Sequence, residues 1–598
     1  MPAYGQAGLL PRAVRSLLGQ DLAGWELIVV DHGSPDDTGA AVVPFRSEAR
    51  IRYMRRERND GLGRALNAGL DAARAPVVAY LPCDDVLHPP HLRTLVAALD
   101  GEADAVAAVA DLEGDADAAI RLVQVAHRRT GDRWTERAEL ESDDLDLLMW
   151  NRLRARGRFV STGVATCRWI AHAGQRHRAF RESCDGGLNT FRRRFRVREP
   201  LRFHSTETEL VDEVARYRAD RERPPTPRAP DGLRIVLAGE LAYNPDRVLA
   251  LEEGGHRLLG LWIDDPLGFN TVGPVPFGHV EDIGVADPCD AVRRARPDVV
   301  YALLNWRAVP LAHALLDTGA PVVWHYKEAP QRSLLRGEWP LLAELHERAA
   351  GVIYSTPLER EWFEVALPGR RAADATMVLD GDLPRANWTA CERDQRLSAA
   401  DGAPHVVLLG RPVGIEPRHV RALARAGVHV HVHGLAATAA NRAWLAAAAG
   451  ERLHVHGAVD PADWTRVLAR YDGGLLHRAR SHNGGDLRRA SWDDLNQPAR
   501  VPTLLAAGVP LLQIASPGST VHMQDLIAEL GLGTTYRDEE DLAAWLHDEP
   551  AVRAARERAF AVRGRFTFEH HVDRLVGFLR RAAASSAAHT RSCERSAG

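Results

Sequence analysis

The chain is poor in the features that mark the simpler protein classes. Its cysteines, at 83, 167, 184, 289, 391 and 593, form no CxxC pair, so neither a cysteine-rich zinc module nor a disulfide framework is indicated, and a reducing cytoplasm is expected. Net charge is almost absent, −4 over 598 residues, which gives no general nucleic-acid footprint. No apolar run approaches the roughly 20 residues needed to span a bilayer, and the N-terminus lacks the charged-then-apolar pattern of a secretion signal. What is present is ordinary globular material: a hydrophobic content of 45% excludes disorder of the whole chain, and the length exceeds one core, so roughly two to four domains are expected.

Two short strings stand out. Leu27-Ile28-Val29-Val30 runs into Asp31-His32-Gly33-Ser34, and Val77-Val78-Ala79-Tyr80-Leu81 runs into Pro82-Cys83-Asp84-Asp85. Each is a continuous apolar run that stops at carboxylates, the pattern of a buried parallel strand delivering acidic side chains to a sheet rim, where ligands of open α/β sheets bind. A helix-like stretch, 61–73, lies between them. The order strand, helix, strand predicts a right-handed crossover with both acidic ends on one edge, an arrangement suited to a metal-held, phosphate-bearing ligand.

The rest of the chain divides by composition. Pro224-Pro225-Thr226-Pro227-Arg228-Ala229-Pro230 is stiff and unsuited to a core, which places a linker at 223–231 between a first domain, 1–222, and the C-terminal remainder of the chain. Apolar strands restart at Leu233 and again at His405, with helix-length intervals between successive strands. Parallel, doubly wound halves are expected over 232–398 and 399–581, followed by a disordered tail, 582–598. At the front, helical spacing from Leu9 to Leu18 comes directly after Met1-Pro2-Ala3-Tyr4, which leaves the opening strand of such a domain missing or only a few residues long. Either the chain start is misassigned or the domain lacks that strand.

The first domain resembles the family 2 glycosyltransferases of the GT-A fold. The resemblance rests on Pro2-Ala3-Tyr4, on 25–38, on Gly61-Leu62-Gly63-Arg64-Ala65-Leu66-Asn67-Ala68-Gly69, and on Leu81-Pro82-Cys83-Asp84-Asp85 with Pro89 and Leu92 beyond. It implies a nucleotide-sugar donor, a divalent cation (Mn²⁺ or Mg²⁺) on Asp85 with Asp84 as partner of metal or ribose, and Asp31 at the nucleotide. The position after Asp31, usually a second aspartate that reads the base, is His32, which carries no negative charge at neutral pH. The segment from Asp143 to Phe159 resembles the family's acidic motif, helix and Gly-Arg-Phe exit. It implies Asp146, with Asp144 second, as general base of an inverting transfer. Arg168 and His172 fall where the family places residues near the donor phosphates. An acidic helix start and surface arginine are the competing readings.

The two later halves resemble GT-B glycosyltransferases of the family 4 type. The matching segments are Leu409-Gly410-Arg411-Pro412 and Asn496-Gln497-Pro498-Ala499-Arg500, the latter continuing to Pro510. The resemblance implies that Arg411 and Arg500 bind the donor diphosphate beside helix N-termini. The family's glutamates are absent, with Leu495 and Thr503 near their positions. Alternation puts His429, His431 and His433 on one strand face, either a metal-ligand set or the polar face of a half-buried strand. Lys327-Glu328-Ala329-Pro330 is a candidate acceptor-side loop.

Together these readings predict an α/β bidomain glycosyltransferase acting on a glycan, lipid-linked or other hydroxyl acceptor, without nucleic acid. The alternatives are a GT-B-like part that only binds glycan or partner, and a first domain that is a nucleotidyltransferase or a degenerate sugar-nucleotide binder. Arg192-Arg193-Arg194, with Arg196 and Arg198, is either a contact for anionic lipid headgroups at the inner face of the membrane or a solvated basic turn.

Overall fold

The computed structural model describes residues 1–596 except 114–118, 242–245, 265–270, 285–286, 368, 370, 382, 386–394, 436–437, 458 and 460–462. It divides into two compact units, Met1–Arg216 and Tyr217–Gly598, a division that falls ahead of the proline-dense stretch. Among the described residues, no helix is long and apolar enough to cross a membrane.

Unit 1 opens with β1 (Pro2–Ala3), α1 (Leu10–Leu18), β2 (Leu27–His32) and β3 (Ile51–Arg56), then α2 (Leu62–Ala72) and β4 (Val77–Ala79). β2 is buried along its whole length, pairs in parallel with β1 and β3, and sends alternate residues to opposite faces. Leu27 and Val29 pack with Leu10, Ala13 and Val14 of α1, whereas Ile28 and Val30 pack with Ala65 of α2. The helix α2 begins at Gly61, whose φ of +100° suits glycine, and a Cβ there would meet Glu141 Oε1 at 2.8 Å. Gly63 is tighter still: its Cβ would lie 1.9 Å from the Thr135 carbonyl oxygen. These two glycines let the 135–141 segment close onto the helix start.

The expected crossover does not bring β2 and β4 into one sheet. β4 pairs antiparallel with β7 (Val125–Arg128), in a five-stranded sheet of order β4-β7-β6-β9-β5 with β5 (Val86–Leu87), β6 (Ala105–Leu112) and β9 (Arg158–Arg168). β1 pairs its two residues, Pro2 and Ala3, with Val30 and Asp31 of β2. An apolar cavity of about 360 Å³ lies there, lined by Met1, Ile28, Val30, Ala65, Val78 and Tyr80 among others. The Met1 ammonium donates to the Ile28 carbonyl at 2.9 Å, and burial pulls its pKa down to about 6. A third, small sheet joins β8 (Glu141–Ser142) to β10 (Arg202–Ser205) and β11 (Thr208–Asp212).

Unit 2 holds two parallel sheets. The first runs β14-β13-β12-β15-β16-β17-β18, with β12 (Arg234–Gly239), β13 (Arg257–Trp262), β14 (Glu281–Asp282), β15 (Val299–Leu304), β16 (Val322–Tyr326), β17 (Gly351–Tyr354) and β18 (Thr376–Val378). The second runs β21-β20-β19-β22-β23-β24, with β19 (His405–Leu409), β20 (His429–His433), β21 (Leu453–His456), β22 (Gly473–Leu475), β23 (Leu511–Ile514) and β24 (Gly533–Tyr536). Both orders reverse beside their first strand, which is the Rossmann-like doubly wound pattern, and the crevice outside the strand carboxyl ends opens at that reversal. The mixed α/β class with Rossmann-like parallel sheets is therefore as expected. The last helix is Glu569–Ser596.

Candidate active site

The turn after β4 places Asp84 and Asp85 on the wall of a cavity of about 560 Å³, which His32, Asp146, His172 and Arg176 also line. Asp85 is 2% exposed and accepts the Ile170 N–H at 3.2 Å. Among the described residues it makes no ion pair with lysine or arginine. Burial raises its pKa, and the adjacent charge of Asp84 adds to the effect. Asp84 faces His172, whose Nε2 lies 2.9 Å from Oδ2, while its backbone carbonyl accepts from Arg12 at 2.8 Å. Two neighbouring carboxylates, one of them almost fully buried, are a hard-oxygen donor set that fits a divalent cation such as Mg²⁺ or Mn²⁺.

Asp146 reaches the same cavity from the first turn of the helix Leu145–Arg154. Burial pushes its pKa up to about 6, against the opposing pull of Arg176. It is therefore ionised at neutral pH yet close enough to its pKa to accept a proton, the condition for a general base. Asp144 sits at the N-cap of that helix and does not line the cavity, and its N–H donates to Ser142 Oγ at 3.1 Å. Its neighbour Asp143 does line it, but its carboxylate is committed to Arg181 at 2.8 Å and to Thr206 at 2.9 Å.

Residues 1–183 match the family model described as Glycosyl transferase family 2. Unit 1 contains a family 2 glycosyltransferase domain. Succinoglycan biosynthesis protein ExoO of Rhizobium meliloti (strain 1021) is 39% identical over 98 residues, covering 16% of this chain and 28% of the relative. The UDP-Glc:alpha-D-GlcNAc-diphosphoundecaprenol beta-1,3-glucosyltransferase WfgD of Escherichia coli is 35% identical over 86 residues, covering 14% of this chain and 34% of that protein. The chain thus spans about a third of the length of these curated relatives. Among solved structures, S. aureus TarS 1-349 in complex with UDP aligns over 28% of this chain and 59% of its own, at 19% identity and a TM-score of 0.26. The S. aureus MnaA-UDP co-structure aligns over 57% of this chain and 96% of its own, at 11% identity and a TM-score of 0.37.

Within the family 2 domain the structure moves several residues away from their expected places. Asp31 is fully buried and its carboxylate is committed to the turn: Oδ1 accepts Ser34 N–H at 2.9 Å, and Oδ2 accepts Tyr53 Oη–H at 2.6 Å and Arg55 at 2.8 Å. The adjacent His32 lines the cavity in its stead. Its Nδ1 lies 3.2 Å from Asn59 Oδ1, and burial pulls its pKa down to about 4, so the ring is neutral at pH 7. Arg168 stands exposed at the end of β9, paired with Val86, and does not line the cavity. Successive strand residues point to opposite faces, and its neighbour Cys167 takes the buried one.

The basic side of the family 2 site comes from residues without a sequence signal in a chain so rich in arginine. Glu141, 1% exposed, accepts Arg137 Nε at 2.7 Å and Arg176 at 2.7 Å, and both arginines face the cavity. Arg194 lines it as well, donating to the Gln175 carbonyl at 3.1 Å and to Gly174. The arginine run is thus not a uniform solvated turn. Arg192 is 1% exposed and pairs with Glu213, leaving Arg196 and Arg198 exposed.

In unit 2 the two arginines named for a diphosphate are neighbours in the fold. Arg411 is exposed after β19, and the Arg500 guanidinium, at the start of the helix Arg500–Ala506, donates to the Arg411 carbonyl at 3.0 Å. The expected Lys327 loop is buried. Lys327 pairs with Asp380, whose other oxygen accepts Gln497 Nε2–H at 2.8 Å, and Gln497 Oε1 lies 3.4 Å from His522 Nε2. This network joins the two sheets' halves of unit 2.

Proposed function

We propose that the family 2 domain transfers a sugar from a nucleoside-diphosphate donor to a hydroxyl of a glycan or lipid-linked acceptor, with inversion. The supporting observation is that Asp84, Asp85, Asp146, the buried Arg137 and the half-buried Arg176 share one cavity. Asp84 and Asp85 would hold Mn²⁺ or Mg²⁺, which supplies charge neutralisation to a departing diphosphate. Arg176 and Arg137, held by Glu141, would add hydrogen bonds to phosphate oxygens. Asp146 would take the proton of the acceptor hydroxyl, and His172 holds Asp84 in position. His32, neutral, offers the donor base a hydrogen bond but no charge.

For unit 2 the reading is a GT-B-like part that binds a nucleotide sugar between its halves, 232–398 and 399–581. The meeting of Arg411 with Arg500 outside a Rossmann-like reversal supports it. Absence of a carboxylate at Leu495 and Thr503 favours binding over turnover. One experiment tests both parts: the full chain is given a panel of nucleotide sugars with Mn²⁺ or Mg²⁺, and nucleoside diphosphate release is scored. Asp85→Asn should lower metal-dependent release at least about 100-fold. A rate unchanged by Asp85→Asn would overturn the site, and donor turnover surviving in Asp85→Asn but lost in Arg500→Ala would make unit 2 a second catalyst.

A further inference from the structure

The histidines of unit 2 form a ladder that neither the proposed chemistry nor the family 2 match uses. His405 on β19, His429, His431 and His433 on β20, and His454 and His456 on β21 stand on one sheet face, because the three strands are parallel and in register. His405 and His429 stack with ring centroids 4.5 Å apart and planes at 9°. At the edge of this stack Asp401 ends the short helix Ser398–Asp401, four residues before His405. Sequence alternation singled out β20 alone; pairing with β19 adds His405 and Asp401.

We propose that unit 2 binds one first-row transition-metal ion, of the Zn²⁺, Co²⁺ or Ni²⁺ type, through Asp401, His405 and His429. Their ligand atoms all lie within 4.8 Å of one another. Asp401 Oδ2 is 3.0 Å from His405 Nε2 and 4.0 Å from His429 Nε2, which brackets the spacing of about 3.4 Å that tetrahedral bonds of about 2.1 Å require. Two imidazoles and one carboxylate select zinc-like ions over Mg²⁺ or Ca²⁺, and leave a fourth position to water beside the exposed Asp401.

The supporting contacts are of the kind metal ligands have. Asp401 Oδ1 accepts the Ala403 N–H at 3.0 Å, His429 Nδ1 lies 2.9 Å from His454 Nε2, and His405 Nδ1 lies 2.8 Å from His431 Nε2. Arg452 donates to His429 Nε2 at 2.6 Å, so that nitrogen already presents its lone pair. His405 needs a change. Its Nε2–H now faces the acceptor-only carboxylate, and His431 and His456 continue the chain, with His431 Nδ1 2.9 Å from His456 Nε2. On binding, each of these three rings moves its proton to its other nitrogen, the last one toward solvent at the exposed His456. Each ring stays neutral and no proton is lost. Arg452 is the competitor, a cation on the lone pair the metal needs.

The test uses the full chain without a histidine tag, freed of metal by chelator and titrated calorimetrically with Zn²⁺, with Co²⁺ absorption as a report on geometry. One equivalent should bind in the Asp85→Asn variant as in the parent, which separates this ion from any at Asp84 and Asp85. Asp401→Asn and His429→Gln should each weaken it at least about tenfold. Arg452→Ala should tighten it, an outcome no merely polar strand face would give. Absence of a saturable equivalent in the parent, or unchanged affinity in Asp401→Asn and His429→Gln with unfolding curves like the parent's, overturns the proposal.

Discussion

Asp146 makes the sharpest statement at the scale of a single residue, because its burial sets a pH at which the proposed reaction should fail. A base works as carboxylate, and with its pKa raised to about 6 the ionised fraction falls as pH drops through that value. The expected kcat/KM is flat above pH 7 and loses about tenfold per unit below pH 6, a limb read from initial rates across pH. Asp146→Asn should remove that limb and cost at least about 100-fold; a parent rate still flat at pH 5 would assign the proton to another group. Arg192 and Arg196 make a second contrast, since arginines four residues apart differ in burial. Arg192→Ala leaves Glu213 buried without its partner, an expected loss of about 3–5 kcal/mol in urea unfolding, whereas Arg196→Ala should stay within about 0.5 kcal/mol.

Among the elements, the helix Leu62–Ala72 shows how one residue type can serve opposite ends. Gly63 is needed for space: a Cβ 1.9 Å from the Thr135 carbonyl would push away the segment that carries Arg137 and Glu141 into the site. Gly63→Ala should therefore destabilise the domain and lower donor release together. Gly69 lies in the same helix beside the apolar cavity, where a Cβ would make an ordinary contact with Val30 Cγ2 at 3.7 Å. Gly69→Ala should raise stability by about 0.5–1 kcal/mol through helix propensity alone. Thermal midpoints moving in the same direction for both would refute this account of the helix.

The whole molecule has separate cores in its two units: clusters around α1 and β2 in the first, clusters around the two parallel sheets in the second. Calorimetry should resolve two unfolding transitions. Mn²⁺ with a nucleoside diphosphate should raise the transition assigned to unit 1, because a ligand stabilises only the body that binds it. Loss of that shift in Asp85→Asn would tie it to the carboxylate pair. A shift that survives the substitution would place the ligand elsewhere.

Local chemistry alone settled a good part of this protein. Continuous apolar runs ending in carboxylates announced the strands Leu27–His32 and Val77–Ala79, and restarts at Leu233 and His405 announced two doubly wound halves, because burial on both faces and helix-length spacing are properties of short stretches. The acidic turn at Asp84 and Asp85 was legible for the same reason, whereas Asp146 and His172 were named only through the resemblance to family 2 glycosyltransferases. Tertiary structure decided what depends on distant partners. It placed β4 antiparallel to β7, gave the Asp31 carboxylate to Ser34, Tyr53 and Arg55, turned Arg168 to solvent, and brought Arg137 and Arg176 onto Glu141. It also set His405 beside His429 through sheet register, with Asp401 at the end of the helix just before the strand of His405. A side chain's type is written in the sequence, but its pKa, its partner and the face it presents are fixed by what folds against it.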